Sequence, residues 1–289
     1  MRPMSPAKRL LAVTTAMVAT TAYAATVSTG ANAAPTWAPA DAATIHPGIQ
    51  MYTQGAQCTG NFVFTDASGA VYVGYAAHCA GTGGATETDG CDSGSLPLGT
   101  RVTFNTGGSL LNEGTQVGTG RLAYSSWLTM QQVGEQNANA CAFNDFALVE
   151  VDNAFVDDVN PSVPFWGGPV GLANNGTATG DRVYSYGNSS LRAGLEPLSP
   201  KTGLSLGSTG NGWSHDVYTV TPGIPGDSGS GFVTGQGRVL GTLSTVQIAP
   251  LVGSNGVGHL ASELAYANQH SSLSGVTLVP GTEPFSPIL

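Results

Sequence analysis

Short apolar runs alternate with turn-forming clusters along most of the chain. The run Asn61-Phe62-Val63-Phe64-Thr65 leads into Asp66-Ala67-Ser68-Gly69, and Val71-Tyr72-Val73-Gly74-Tyr75 follows. Two β-rich runs joined by an Asp/Ser/Gly cluster predict a hairpin. Similar runs recur at 101–104, 116–123, 146–151, 182–186, 217–220, 231–234 and 239–245. Strands this short and this regularly spaced predict a sandwich or a pair of barrels. No repeat of fixed period is visible. One segment departs from the pattern. Residues 260–267, Leu-Ala-Ser-Glu-Leu-Ala-Tyr-Ala, place apolar positions at helical spacing and predict a helix that closes a β domain. The Pro/Ala-rich stretch 34–47 predicts a lead-in that is poorly ordered or draped on the surface.

The first residues carry a different pattern. Arg2, Lys8 and Arg9 precede an apolar Ala/Thr/Val run over 10–27, and Ala31-Asn32-Ala33 places small residues at a cleavage site. That layout predicts a secretory signal peptide over 1–33, a lead-in over 34–56 and one domain over 57–289. No second run is long enough to span a bilayer.

Composition sharpens this. Of 289 residues only 9% are charged, against roughly 25% in an average domain, and 41 are glycine. Nine cations face 18 acids. Removal of 1–33 takes three of the cations and no acid, which leaves six cations against 18 acids. A nucleic-acid surface and a basic membrane-binding face are both excluded by this balance. An acidic, exported, extracellular protein is the expectation, with a monomer as the default. The four cysteines, Cys58, Cys79, Cys91 and Cys141, predict two disulfides in an oxidising compartment, with three pairings open. Their spacing does not suit a zinc site. No carboxylate cluster has calcium-loop spacing, so no metal and no cofactor is expected.

Three motifs carry chemistry. Ala76-Ala77-His78-Cys79 follows a strand, Asn144-Asp145 opens the apolar run 146–149, and Gly226-Asp227-Ser228-Gly229-Ser230-Gly231 precedes another strand. Each alone reads as a structural histidine, a turn residue or a loop. Together they supply what acyl transfer requires. A serine hydroxyl is a weak nucleophile that needs a base, imidazole has a suitable pKa, and a carboxylate fixes the imidazole tautomer. Glycines beside the serine let backbone N–H groups converge where an oxyanion forms.

The order His, Asp, Ser with these motifs resembles the chymotrypsin/trypsin-like serine proteases, over most of the chain from Cys58 to the C-terminal helix. The resemblance implies an all-β fold of two packed six-stranded antiparallel barrels. It implies Ser228 as nucleophile, His78 as general base and Asp145 as orienting acid. The N–H groups of Gly226 and Ser228 would form the oxyanion hole. It pairs Cys58 with Cys79 and leaves Cys91 for Cys141. Ser244 matches the serine that touches the buried Asp and opens the substrate-binding strand. The implied activity is a secreted endopeptidase acting on protein or peptide substrates.

The departures matter too. The Ile-Val-Gly-Gly start of the animal enzymes is absent, so Asp227 needs an internal cation, Arg182 or Arg192. The position six before Ser228 is Pro222, which offers no charge to substrate Lys or Arg. Leu243 and Val246 flank Ser244 with no basic lining, and branched Val246 narrows the pocket. A neutral, small to medium apolar side chain before the scissile bond is expected. His215, beside Asp216, reads as a surface-loop histidine, and His259 and His270 as structural or exposed. Two rival functions remain. A catalytically silent binding module on this fold would lack a triad member. An esterase on the commoner scaffold would show Ser before Asp before His and a strand-to-helix elbow at the serine.

Overall fold

The computed structural model describes residues 1, 35–83, 89–247, 252–273 and 275–287, with the side chains of Glu196, Val246 and Gln247 also left aside. The expected leader over 1–33 therefore lies outside the described residues, apart from Met1.

Eight strands form the first sheet: β1 (Gln50–Thr53), β2 (Ala56–Thr59), β3 (Val63–Thr65), β4 (Val71–Tyr75), β5 (Arg101–Thr106), β6 (Thr115–Ser125), β7 (Ala147–Val151) and β14 (Thr277–Leu278). Their order is β14-β3-β4-β7-β6-β5-β1-β2, and all neighbours are antiparallel. The other six, β8 (Arg182–Tyr186), β9 (Pro200–Thr209), β10 (Ser214–Thr219), β11 (Gly231–Thr234), β12 (Val239–Gln247) and β13 (Ser254–His259), close into a barrel. The fold is thus all-β and double, as expected. The first unit carries eight strands rather than six, because the C-terminal β14 adds to β3 and the β1–β2 hairpin extends the far edge. β1 and the turn of that hairpin fall in the stretch 34–56 expected as a lead-in, and β2 runs on past it. Residues 35–49 are also anchored rather than draped: Ile45 is fully buried, and its N–H reaches Asp158 O.

Strand alternation explains the core. In β4 and β7, Val71, Val73, Tyr75, Ala147 and Val149 fill the first core, whereas Tyr72 and Leu148 face the other way. Phe62, Phe64, Tyr72, Phe146 and Leu148 meet Tyr184, Val233 and Val239 of the second barrel in one apolar cluster. A strand buried on both faces reads as a continuous apolar run, which is why 146–149 lacks a polar alternate. The second barrel holds its own small core of Val183, Val217, Phe232, Leu240, Leu243 and Val257.

Three α-helices occur among the described residues: α1 (Ser126–Val133), α2 (Ala138–Phe143) and α3 (Leu260–His270). Only α3 was legible in the sequence. Ser125 caps α1 by accepting from Leu128 N, and Gly134 ends it in the left-handed region. Asn137 caps α2, which delivers the chain to Asn144 and Asp145. Leu260, Leu264 and Ala267 of α3 pack into the cluster between the two β units.

Candidate active site

β4 ends at Tyr75, and a single 3-10 turn, Ala77–Ala80, turns His78 away from the sheet. A disulfide joins Cys79 to Cys58 in β2, and a second joins Cys91 to Cys141 in α2. No cysteine is free. The first bridge ties the His78 turn to the β1–β2 hairpin, and the second ties the 89–95 segment to the approach of Asp145.

His78 and Asp145 are in direct contact. Asp145 Oδ2 accepts from His78 Nδ1 at 2.6 Å, and Asp145 Oδ1 accepts from the His78 peptide N–H at 2.8 Å. Ser244 Oγ donates to Asp145 Oδ2 at 2.6 Å. Ser244 sits at a bulge in β12, between Leu243 and Thr245, which turns its hydroxyl toward the first sheet. Burial alone would push the Asp145 carboxyl up. The nearby His78 and these donors overcome it, and the group lies below its ordinary value. Burial alone would pull the imidazole down. The Asp145 charge and hydrogen bond outweigh that, so His78 lies above its ordinary value.

The serine loop meets this pair through the backbone. Thr59 N donates to Ser228 O at 2.8 Å. Gly229 has φ +88°, and a Cβ there would lie 2.6 Å from Thr59 O and 2.9 Å from Ala76 N. Only glycine fits, and it brings Ser228 against the strand end that carries His78. Ser228 is half-buried, and among the described residues it has no direct hydrogen bond to His78.

Two peptide planes are fixed beside it. Ser189 Oγ donates to Pro225 O at 2.5 Å, and Ser230 N donates to Asp227 O at 3.0 Å. In a trans peptide the N–H points opposite its C=O. Pro225 O is thus held toward Ser189 and Asp227 O toward Ser230 N, so the N–H groups of Gly226 and Ser228 point away from these partners. Between them, Asp227 N is turned inward to Ile224 O at 2.9 Å. Gly226 O accepts from Gln57 Nε2 (3.0 Å) and Thr59 Oγ1 (2.7 Å).

Asp227 is fully buried and meets two cations. Arg192 Nη2 lies 2.5 Å and Lys201 Nζ 3.0 Å from its Oδ2. Of the two arginines expected, Arg192 is the partner and Arg182 is not. Arg182 opens β8 and is exposed. Lys201, one of two lysines in the sequence, was not foreseen because a single cation in a Ser/Thr/Gly strand carries no pattern. It also donates to Thr221 O (3.4 Å) and Pro222 O (3.3 Å). Burial, with Arg192 adding to it against the pull of Asp227, holds Lys201 below its ordinary value.

Pro222 is exposed. Gly223 N beside it donates to Asn255 Oδ1 at 2.9 Å, which fixes the segment to β13. The backbone of Val246 pairs with Asn255, but its side chain lies outside what is described. His215 corrects an expectation. It lies in β10, 1% exposed, with its ring 5.1 Å from that of His259. Val217 and the rest of β10 close the barrel, so this position faces inward rather than into a loop. Burial, then the neighbouring His259, pulls its pKa down to about 4. His259 is buried, with ring nitrogens near Ser262 Oγ and Ala173 O. His270 stacks on Tyr266.

Two clusters bring sulfurs near another ligand type: Cys58, His78 and Cys79, and Asp89, Cys91 and Cys141. In both, the sulfurs are disulfide-bonded and offer no thiolate, so neither donor set suits a metal.

No known family pattern matches the sequence, and no curated protein matches it. Solved structures similar to it include bacterial proteases at low identity. Thermobifida fusca Protease A is 17% identical, over 82% of this chain and 99% of that one, with a TM-score of 0.48. The Nocardiopsis protease is 19% identical, over 81% and 98%, with a TM-score of 0.48. The Cellulomonas bogoriensis chymotrypsin is 15% identical, over 81% and 98%, with a TM-score of 0.47.

Proposed function

We propose that this chain is a secreted serine endopeptidase. The observation that carries the reading is the hydrogen-bonded set His78–Asp145–Ser244, against which Thr59 N and the close approach of Gly229 hold the Ser228 loop. Ser228 Oγ attacks the substrate carbonyl and passes its proton to His78 Nε2. The tetrahedral oxyanion is met by the N–H groups of Gly226 and Ser228, each such donor lowering the barrier by about 3 kcal/mol. His78 then protonates the leaving amine, and an acyl-enzyme on Ser228 remains. Water, deprotonated by the same imidazole, releases the acid and restores Ser228. Asp145 stays ionised and steadies the imidazolium throughout.

The substrate reading follows from charge. Lys201 lies under Pro222, but it is fully buried and engaged with Asp227, so its charge is not offered to a substrate. A neutral, small to medium apolar side chain before the scissile bond fits Pro222, Ser244 and Val246. Export through the 1–33 leader fits the two disulfides. The test is casein hydrolysis by purified protein and by Ser228→Ala. The reading requires hydrolysis by the first and not the second. Absence of hydrolysis and of serine labelling in the wild type would instead favour a binding module on this fold.

A further inference from the structure

Glu263 is completely buried, yet it belongs to the apolar face of α3, in line with Leu260, Leu264 and Ala267. Its side chain leaves the helix between β12 and β13. A Cβ on Gly258 would lie 2.3 Å from Glu263 Oε1, so a glycine is required for it to pass. The carboxyl then ends beneath the candidate triad. Glu263 Oε1 accepts from the peptide N–H of Asp145 at 3.2 Å, a donor shared with Phe143 O at 3.1 Å. Glu263 Oε2 lies 3.3 Å from Thr242 Oγ1, which in turn accepts from Asn61 Nδ2 at 3.2 Å.

We propose that Glu263 is a positioning residue of the triad: from the C-terminal helix it holds Asp145 by its peptide N–H, leaving both carboxylate oxygens of Asp145 to His78 and Ser244. This rests on the hydrolase reading above. It acts as a neutral carboxylic acid. Two buried carboxyls this close cannot both carry charge at modest cost, and the better solvated one keeps it. Asp145 has His78 Nδ1, His78 N and Ser244 Oγ as donors. Glu263 has one shared N–H and one hydroxyl. Burial and the Asp145 charge accordingly hold Glu263 well above its ordinary value, with those two partners offsetting only part. Besides Asp145, the Tyr124 phenol of β6 faces it among the described residues, itself raised by burial and then by Glu263. Neutral Glu263 leaves a single negative charge behind the imidazole. It also makes docking of α3 and the placing of Asp145 one event.

The test compares wild type, Glu263→Gln and Glu263→Leu by kcat, KM and an NMR titration of the His78 ring. Glutamine keeps an acceptor for Asp145 N–H and a polar group beside Thr242 Oγ1 but cannot ionise. It is expected to keep kcat within about twofold and the His78 pKa within about 0.3 unit of wild type. Leucine, which loses the acceptor, is expected to lower kcat about tenfold with KM within about twofold. The proposal is overturned if glutamine lowers the His78 pKa by about one unit, which would mean that Glu263 carries charge. It is equally overturned if leucine keeps the wild-type kcat, or if glutamine is as impaired as leucine. Should leucine fail to fold, the glutamine comparison still decides. A wild type that neither hydrolyses casein nor labels with a fluorophosphonate refutes the hydrolase reading instead, and the His78 titration still reads the charge on Glu263.

Discussion

Asp227 has two cations where charge balance needs one, and this gives an unusual mutational signature. Arg192 and Lys201 both reach Asp227 Oδ2, and all three groups are buried. Asp227 also accepts from Ser189 N (3.2 Å) and Ile224 N (3.1 Å). Removal of either cation leaves a balanced pair. Lys201→Met takes away a charge that folding already disfavours, since its pKa is below the ordinary value. It should change stability by no more than about 1 kcal/mol. Arg192→Met should cost about 2 kcal/mol, because Lys201 remains. The double variant leaves a buried carboxylate with two N–H donors and no cation, and stripping a buried charge of its partner costs about 3–5 kcal/mol beyond what the remaining pair would. The double loss should therefore exceed the sum of the singles by about 2 kcal/mol. Urea midpoints of the four proteins measure this, and the rate of Ser228 labelling by a fluorophosphonate reports the loop. In Arg192→Met, Lys201 is the sole counter-charge, so labelling should fall as pH rises through the Lys201 pKa. Lys201→Met, which keeps the always-charged Arg192, should show no such alkaline fall. Additive effects, or a double variant that labels like wild type, would refute the reasoning.

Other outcomes follow from the same geometry. His215 is neutral when folded, with a pKa of about 4 against an ordinary 6.5. Its contribution to stability is complete above pH 6.5 and declines as pH falls toward about 4. The contribution amounts to about 3 kcal/mol, and His215→Leu should flatten urea midpoints between pH 7.5 and 4.5. Ser189→Ala frees the Pro225 carbonyl, so kcat should drop about tenfold with little change in KM, as expected when a preorganised oxyanion donor loosens; an unchanged kcat would remove Ser189 from the account. His78 must be neutral to act as base, and its pKa is raised. Hence kcat/KM should fall as pH drops through a value above 6.5, and Ser244→Ala, which removes one donor to Asp145, should lower activity about tenfold or less.

The sequence carried the fold class because strand alternation and turn clusters are local signals. β4 and β11 lie where their patterns place them. It missed β1, β2, β9, β13 and β14. The polar or glycine-rich residues of β9 and β13, such as Pro200–Thr209, become strands only through pairing within the barrel, and β1, β2 and β14 through pairing within the first sheet. The helices α1 and α2 are eight and six residues long, too short for a helical period to emerge. The motifs around His78 and Asp145 and the resemblance that pointed to Ser244 named three residues that the structure brings into hydrogen-bond contact. Of the cations at Asp227, Arg192 was one of two arginines expected, whereas Lys201 was not, since it sits in an unpatterned strand. Glu263 did leave a trace: an acid at i+3 on the stripe of Leu260, Leu264 and Ala267 contradicts the helix's own apolar face. Such a contradiction marks a buried polar partner.

The central claim is that Ser228 is a nucleophile activated by His78. The most direct measurement is fluorophosphonate labelling of the intact protein, with the modified residue located by peptide mass spectrometry. The account predicts one adduct, on Ser228, with labelling slowed at least about a hundredfold in His78→Ala. Label on another residue, or an undiminished rate in His78→Ala, would contradict it.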